Sequence, residues 1–265
     1  MSAPSAATGL VTALQAAARH WDAVVIGTGI GGGLAGRRLA ERGLSVLFVE
    51  KGPLGHRSEG QDLRDDLDDY VARQSRGFRP TMIEARIDGG RADRFFGPLG
   101  SGVGGTSVFY AAAAERPERH DLDNTDLLPH PTGGWPVGYD AFRPYYDLAS
   151  DLLSVRGEAD PLSDLPAPDL PPPPLRPAEA ALFEDLRLAG LNPYRAHEAL
   201  RRVPGCFDCL GRKCPHPCKM DGRSAGVEPA LSTGRAALLV DCTVEELVET
   251  GGRISALRVR SRGAD

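Results

Sequence analysis

Gly27-Thr28-Gly29-Ile30-Gly31-Gly32 is the first place in this sequence where residue type and spacing could do chemistry. The pattern is GxGxxG. It follows an apolar run and opens a helical stretch, so the main chain there can meet a phosphate directly. Gly27 permits a tight turn, Gly29 lets a pyrophosphate reach the backbone, and the start of the helix offers N–H groups to its charge. Gly36, four residues beyond Gly32, lacks the side chain that would hold the helix away from a sheet. Glu50 ends the next strand, 18 residues after Gly32. Its carboxylate is expected to accept hydrogen bonds from a ribose 2′-hydroxyl. An acid at that position repels a 2′-phosphate, which argues against NADP; the pattern does not separate NAD from FAD.

The second chemical feature is a knot of thiols. Cys206, Cys209, Cys214 and Cys218 have the spacing C-x2-C-x4-C-x3-C, and Cys242 stands apart in a strand-like run as a packed structural thiol. Zinc sites pair two short Cys elements across a longer loop, so this is a poor zinc pattern. Clustered thiolates with a Cys-Pro step suit iron–sulfur ligation better. A metal-free structural loop and zinc remain open as alternatives. Lys213 and Lys219 either stabilise thiolates or are solvated, and His216 reads as a turn residue facing solvent.

These features need elements to position them. Ala23–Ile26 is a short apolar run, as expected for a strand buried on both faces of a parallel sheet. A helix follows to Arg42, stopped by Gly43, and Leu44–Val49 is a second strand. A second glycine-rich turn occupies 97–107. Apolar residues at three- and four-residue spacing predict a helix over 139–155, and another over 178–190 ends at Gly190. Eight prolines between Pro161 and Pro177 predict an extended linker. Runs at Ala237–Val240, Glu246–Glu249 and Ile254–Val259 alternate like strands, the last two across a Gly251-Gly252 hairpin turn. The expected organisation is an N-terminal helix over 1–20, the first part of a nucleotide-binding domain over 21–160, the linker 161–177, and a cysteine loop with the continuation of that domain over 178–265.

Composition narrows the function. Of 265 residues, 41% are hydrophobic and 25% charged, which suits a globular protein and excludes a disordered tail. A net charge of −5 is too mild to predict a nucleic-acid partner. No run approaches the roughly 18 apolar residues of a membrane span, and the N-terminus has no basic leader of the secretory kind. One tight cysteine cluster in a chain of this size points to a reducing, cytoplasmic compartment.

Gly102-Val103-Gly104-Gly105-Thr106-Ser107-Val108-Phe109-Tyr110, taken with AVVIGTGIGGG and the Val-Glu-Lys-Gly run at 49–52, resembles the glucose–methanol–choline (GMC) oxidoreductases, which bind FAD. Gly134-Trp135-Pro136-Val137-Gly138-Tyr139-Asp140 and the Ser232–Ala236 and Cys242–Val244 segments are similar to that family in the same order. The resemblance implies an α/β, Rossmann-like FAD-binding domain of GMC type, incomplete without a C-terminal half. It implies that Gly27, Gly29, Gly32, Glu50, Lys51, Gly104, Gly105, Thr106, Tyr110 and Val244 bind the cofactor, with Tyr110 standing where many relatives have Asn. Cys209, Cys214 and Cys218 match the spacing of iron–sulfur-containing flavin sugar dehydrogenases, which implies a 3Fe–4S-type cluster, with Cys206 beside it.

The same resemblance places the catalytic histidine in a half that these residues do not match; none of the six histidines lies in its motif. The strand Ile254–Val259 is expected to lie mid-sheet and leave an open edge. The implied function is the FAD-binding subunit or half of an alcohol or sugar dehydrogenase. A second polypeptide would supply the substrate domain and base, and the substrate would be an alcohol, sugar or sterol hydroxyl. The rivals are an electron-transfer module holding flavin and iron–sulfur centres, and a non-catalytic remnant that binds dinucleotide only.

Overall fold

The computed structural model describes residues 9–55, 57, 83–87, 89–95, 99–204, 206, 209, 211 and 213–262. The chain forms two compact units, Met1–Ala111 with Arg202–Asp265, and Ala112–Arg201.

The first unit begins with a short helix, α1 (Ala13–Ala17), whose N-cap Thr12 and Gln15 form a capping box. Residues 1–8 of the expected N-terminal helix lie outside the described residues. Then come β1 (Ala23–Ile26), α2 (Ile30–Glu41) and β2 (Val46–Val49), as the periodicity predicts. A small antiparallel pair, β3 (Ile83–Ala85) and β4 (Asp93–Phe95), precedes the second glycine turn. After the cysteine loop the chain makes a π-helical turn (Gly222–Val227) running into α5 (Glu228–Ser232), then β5 (Ala236–Leu239), β6 (Cys242–Thr250) and β7 (Arg253–Ser261). Helices α3 (Tyr139–Leu152) and α4 (Pro177–Leu188) belong to the second unit.

The strand order of the main sheet is β1-β2-β5, all parallel, with Val46 opposite Ala23 on one side and Ala236 on the other. Central β2 is Val-Leu-Phe-Val and β5 is Ala-Ala-Leu-Leu, each buried throughout, as strands covered on both faces require. Alternation sorts their side chains. Val46, Phe48 and Leu238 join Ala40, Val227 and Ala230 under α2 and α5. Leu47, Val49, Ala237 and Leu239 face the other way, toward Ala16 and Cys242. The free flank of β5 is covered by Gly9–Val11, where the Val11 amide donates to the Leu238 carbonyl at 3.0 Å and the Leu238 amide to Gly9 at 2.9 Å.

The last strand is not mid-sheet. Among the described residues β7 pairs only with β6, as a separate antiparallel hairpin across Gly251 and Gly252, both at positive φ. The reason is charge. Arg258 pairs with Glu246 at 2.7 Å and Arg260 with Glu245 at 2.5 Å along one exposed flank, and a central strand could not bury that flank. Among the described residues the unpaired edge is instead that of β1, where Val24 and Ile26 are 38% and 53% exposed.

In the second unit, α4 carries Pro177 in its first turn, and Arg176 with Glu179 makes a reciprocal cap. The proline-rich stretch does not link two folded parts but packs inside this one unit: the Gly157 amide donates to the Leu170 carbonyl, and the Arg195 guanidinium to the Pro173 carbonyl at 2.9 Å. Among the described residues no helix is long and apolar enough to cross a membrane.

Candidate functional site

The first glycine turn has an open side and a closed side. Gly27 has φ 88°, which favours glycine, and its amide donates to the Val49 carbonyl at 2.8 Å. A Cβ added to Gly27, Gly29 or Gly31 would meet nothing within 4 Å, so the outer face of the turn admits a ligand against bare backbone. A Cβ on Gly32 would stand 2.3 Å from the Gly27 carbonyl oxygen, and one on Gly36 2.3 Å from the Phe48 ring. Those glycines bring helix onto strand.

The second turn sits against the first. Gly104 and Gly105 have φ 98° and 58°, and Gly105 opens a 3₁₀ turn through Phe109. A Cβ on Gly105 would come 3.1 Å from the Gly29 Cα. Thr28 joins the turns: its hydroxyl accepts from the Gly104 amide at 3.0 Å and donates to Glu50 Oε2 at 2.6 Å.

Glu50 is held from within the protein as well. The side chain is buried, Oε2 accepts from the Thr28 amide and hydroxyl, and Oε1 accepts from the Gly52 amide at 3.0 Å. A buried carboxylate requires such donors. It therefore fastens the two turns together, and a ribose hydroxyl is left with the remaining lone pairs. Lys51 is exposed beside it. Thr106 is exposed too, and its hydroxyl accepts from the Gly100 amide at 3.0 Å. Val244 lies half-buried on β6, two residues after Cys242, whose amide donates to the Glu50 carbonyl at 3.0 Å.

Sequence reasoning missed the segment that covers these turns. The Gly222 amide donates to Ser107 Oγ at 2.9 Å, and Ser107 Oγ donates to the Gly104 carbonyl at 2.6 Å. Lys219 is fully buried, and its Nζ donates to the carbonyls of Val108 and Tyr110, each at 3.1 Å. The Tyr110 hydroxyl donates to the Met220 carbonyl at 2.9 Å, and burial, aided by the Asp221 charge, pushes the phenol pKa up. Burial pulls the Lys219 pKa down and pushes that of Asp221 up, while the Asp221 carboxylate accepts from the Arg223 and Ser224 amides. The signal was present as Gly222 and Gly226, four apart. A Cβ on Gly33 would be 2.5 Å from the Gly222 carbonyl oxygen, and one on Gly226 2.4 Å from the Gly33 carbonyl carbon.

Cys209, Cys214 and Cys218 are buried together, with half-buried Cys206 against them. Cys214 Sγ lies 3.1 Å from Cys218 Sγ, and Cys218 Sγ lies 3.9 Å from Cys206 Sγ. Among the described residues no group of three or more His, Cys, Asp or Glu side chains is arranged to hold a metal ion. His197, in the second unit, is a satisfied buried histidine, its ring bonded to the Glu158 carbonyl and 3.0 Å from Glu115.

No family model matches the chain. Over 189 residues, 69% of its length, it is 33% identical to paromamine 6'-oxidase of Streptomyces fradiae. Over 92% of its length it is 28% identical to 6'''-hydroxyparomomycin C oxidase of Streptomyces lividus. The chain belongs to the GMC oxidoreductase family. It spans only 32% and 45% of the lengths of those two relatives. A solved formate oxidase of Aspergillus oryzae, whose FAD modification is the subject of its structure, matches at a TM-score of 0.50. That match covers 93% of this chain and 43% of the other at 16% identity, a likeness of fold. The open faces of Gly27, Gly29 and Gly31 in the first turn fit the extended diphosphate of the dinucleotide that the GMC fold implies.

Proposed function

We propose that this chain is the FAD-binding part of an enzyme that oxidises a substrate hydroxyl. The observation that carries this reading is the pair of glycine turns meeting at Gly29 and Gly105, the first open at Gly27, Gly29 and Gly31 and the second packed closely against it. The backbone of Gly27–Gly31 meets the diphosphate, and Gly104–Thr106 supports the flavin. Val244 borders the adenine through its main chain. Bound FAD supplies the hydride acceptor; the chain supplies binding and orientation. Lys51 and Thr106, both exposed, lie at the rim of the cradle.

The proton acceptor for the hydroxyl comes from the length of the relatives that this chain does not span, carried on the same polypeptide or a second one. It must reach within roughly 2.6–3.2 Å of the substrate oxygen. The relatives' names are those of oxidases, which favours molecular oxygen as the final acceptor over the dehydrogenase reading. The same names favour an alcohol group on an amino sugar as the substrate class. An iron–sulfur centre at Cys209, Cys214 and Cys218 is the alternative exit for electrons. It predicts iron and acid-labile sulfide in anaerobically purified protein.

The test is flavin content. Protein as isolated, or refolded with FAD and desalted, should carry close to one FAD per chain with bands near roughly 370 and 450 nm. A colourless protein that takes up no FAD would overturn the reading. Joined to the missing half, it should oxidise paromamine and consume oxygen.

A further inference from the structure

The thiol group and the cofactor cradle are one continuous piece of structure. Cys218 is followed directly by Lys219, which holds the carbonyls of Val108 and Tyr110. Met220 accepts from the Tyr110 hydroxyl, and Gly222 donates to Ser107, which in turn holds Gly104. Five hydrogen bonds thus lead from the residue after Cys218 to the glycines of the second turn. All of them lie within one unit.

The sulfur spacing says what this group can do. Four thiolates around one zinc, with bonds of about 2.3 Å, lie roughly 3.8 Å apart along each edge of the tetrahedron. Cys214 and Cys218 are well inside that distance at 3.1 Å and need to close by only about 1 Å to reach a disulfide bond of about 2.05 Å. The pair is buried, but Cys206 is half-exposed and 3.9 Å from Cys218, which gives exchange or oxidation a way in.

We propose that Cys214 and Cys218 form an oxidisable dithiol whose closure shifts segment 218–222 and loosens the second glycine turn. With hydrogen peroxide as oxidant, one thiol attacks a peroxide oxygen, giving a sulfenic acid and water. The second thiol then attacks that sulfur, forming the S–S bond and releasing a second water. Two electrons and two protons leave the dithiol, and one peroxide becomes two waters. The effect on the cradle rests on the FAD reading above; the dithiol does not.

The experiment compares reduced protein with protein treated with hydrogen peroxide. Differential alkylation and peptide mapping should show five reactive cysteines in the unfolded reduced chain, and three after oxidation with Cys214 joined to Cys218. FAD, followed by flavin fluorescence, should bind the oxidised protein about tenfold more weakly, within the usual span of coupling between two sites. Cys214→Ser and Cys218→Ala should each abolish the oxidant response, whereas Cys242→Ser should keep it. Five reactive thiols after oxidation of folded protein would overturn the proposal, as would stoichiometric zinc or iron on the cysteines. A mapped disulfide with unchanged FAD affinity would overturn the coupling. FAD binding to neither form would overturn the cofactor reading and leave the mapped dithiol standing.

Discussion

The two faces of the parallel sheet are finished by different means. On one face α2 lies on the strands and the π-helical turn lies on α2, with Gly32, Gly33, Gly36, Gly222 and Gly226 allowing main chain to touch main chain or ring. On the other face Leu47, Val49 and Leu239 meet Ala16, Trp21 and the hairpin through side chains, and a cavity of about 640 Å³ is left. Ile26, Leu247 and Ile254, each more than half exposed, line that cavity. The first face is closed by main-chain contact and carries the two glycine turns. The second leaves apolar side chains exposed among the described residues, in a chain that spans under half of its relatives.

If the glycine face is closed by backbone contact, the largest loss should come from one methyl group there. Gly33→Ala places a Cβ 2.5 Å from the Gly222 carbonyl oxygen, and neither main chain can yield cheaply. Overpacking of that kind costs about 3 kcal/mol. A urea midpoint unchanged from the parent would show that the face is looser than drawn. Glu50→Gln comes next. It keeps the shape but removes the charge that accepts from Thr28 and Gly52. Hydrogen bonds to a buried charge contribute about 1.5–3 kcal/mol, so stability should fall by about 2 kcal/mol even without FAD. A loss seen only in FAD affinity would mean that Glu50 serves the ribose rather than the turns.

Gly29→Ala tests the open side of the same turn. Gly29 has φ −56° and nothing near its missing Cβ, so the protein should fold with stability within about 0.5 kcal/mol of the parent. FAD should nonetheless be lost on desalting, because the methyl occupies the approach of the diphosphate. Stoichiometric flavin in the variant would break the assignment of this face to the cofactor.

These differences mark what the sequence could disclose. The β1–α2–β2 unit and its GxGxxG turn were legible because all their determinants lie within thirty residues. The long α3 and α4 helices and the Gly251-Gly252 hairpin were legible for the same local reason. The seat of β5 beside β2 was not, since nothing near Leu238 names Phe48, a partner 190 residues earlier. Nor was the inward turn of Glu50. An acid at the end of a strand is visible in sequence, but the Thr28 and Gly52 donors that claim it are fixed only by the folded turn. The cysteine spacing was plain, whereas the 3.1 Å sulfur contact depends on how the loop closes. The charges of Glu245 and Glu246 on β6 and of Arg258 and Arg260 on β7 could have shown that the hairpin stands outside the parallel sheet.

The smallest effect should fall on the incomplete face. Ile26 is 53% exposed on the outer strand, so Ile26→Thr removes little buried surface and keeps a β-branched side chain that suits a strand. Burying a whole isoleucine contributes about 1.5–3 kcal/mol, and half of that is already forfeited to solvent. The expected cost in this chain is under about 1 kcal/mol, with the hydroxyl solvated and no buried donor left unpaired. In protein joined to the remaining half, the same substitution should cost more, because Ile26 would then lie under cover and its hydroxyl replacement would have to be desolvated. The readout is the difference between the two urea midpoints for parent and variant. Equal costs in the two forms would mean that the missing polypeptide does not cover β1 and that this face is a true surface of the enzyme.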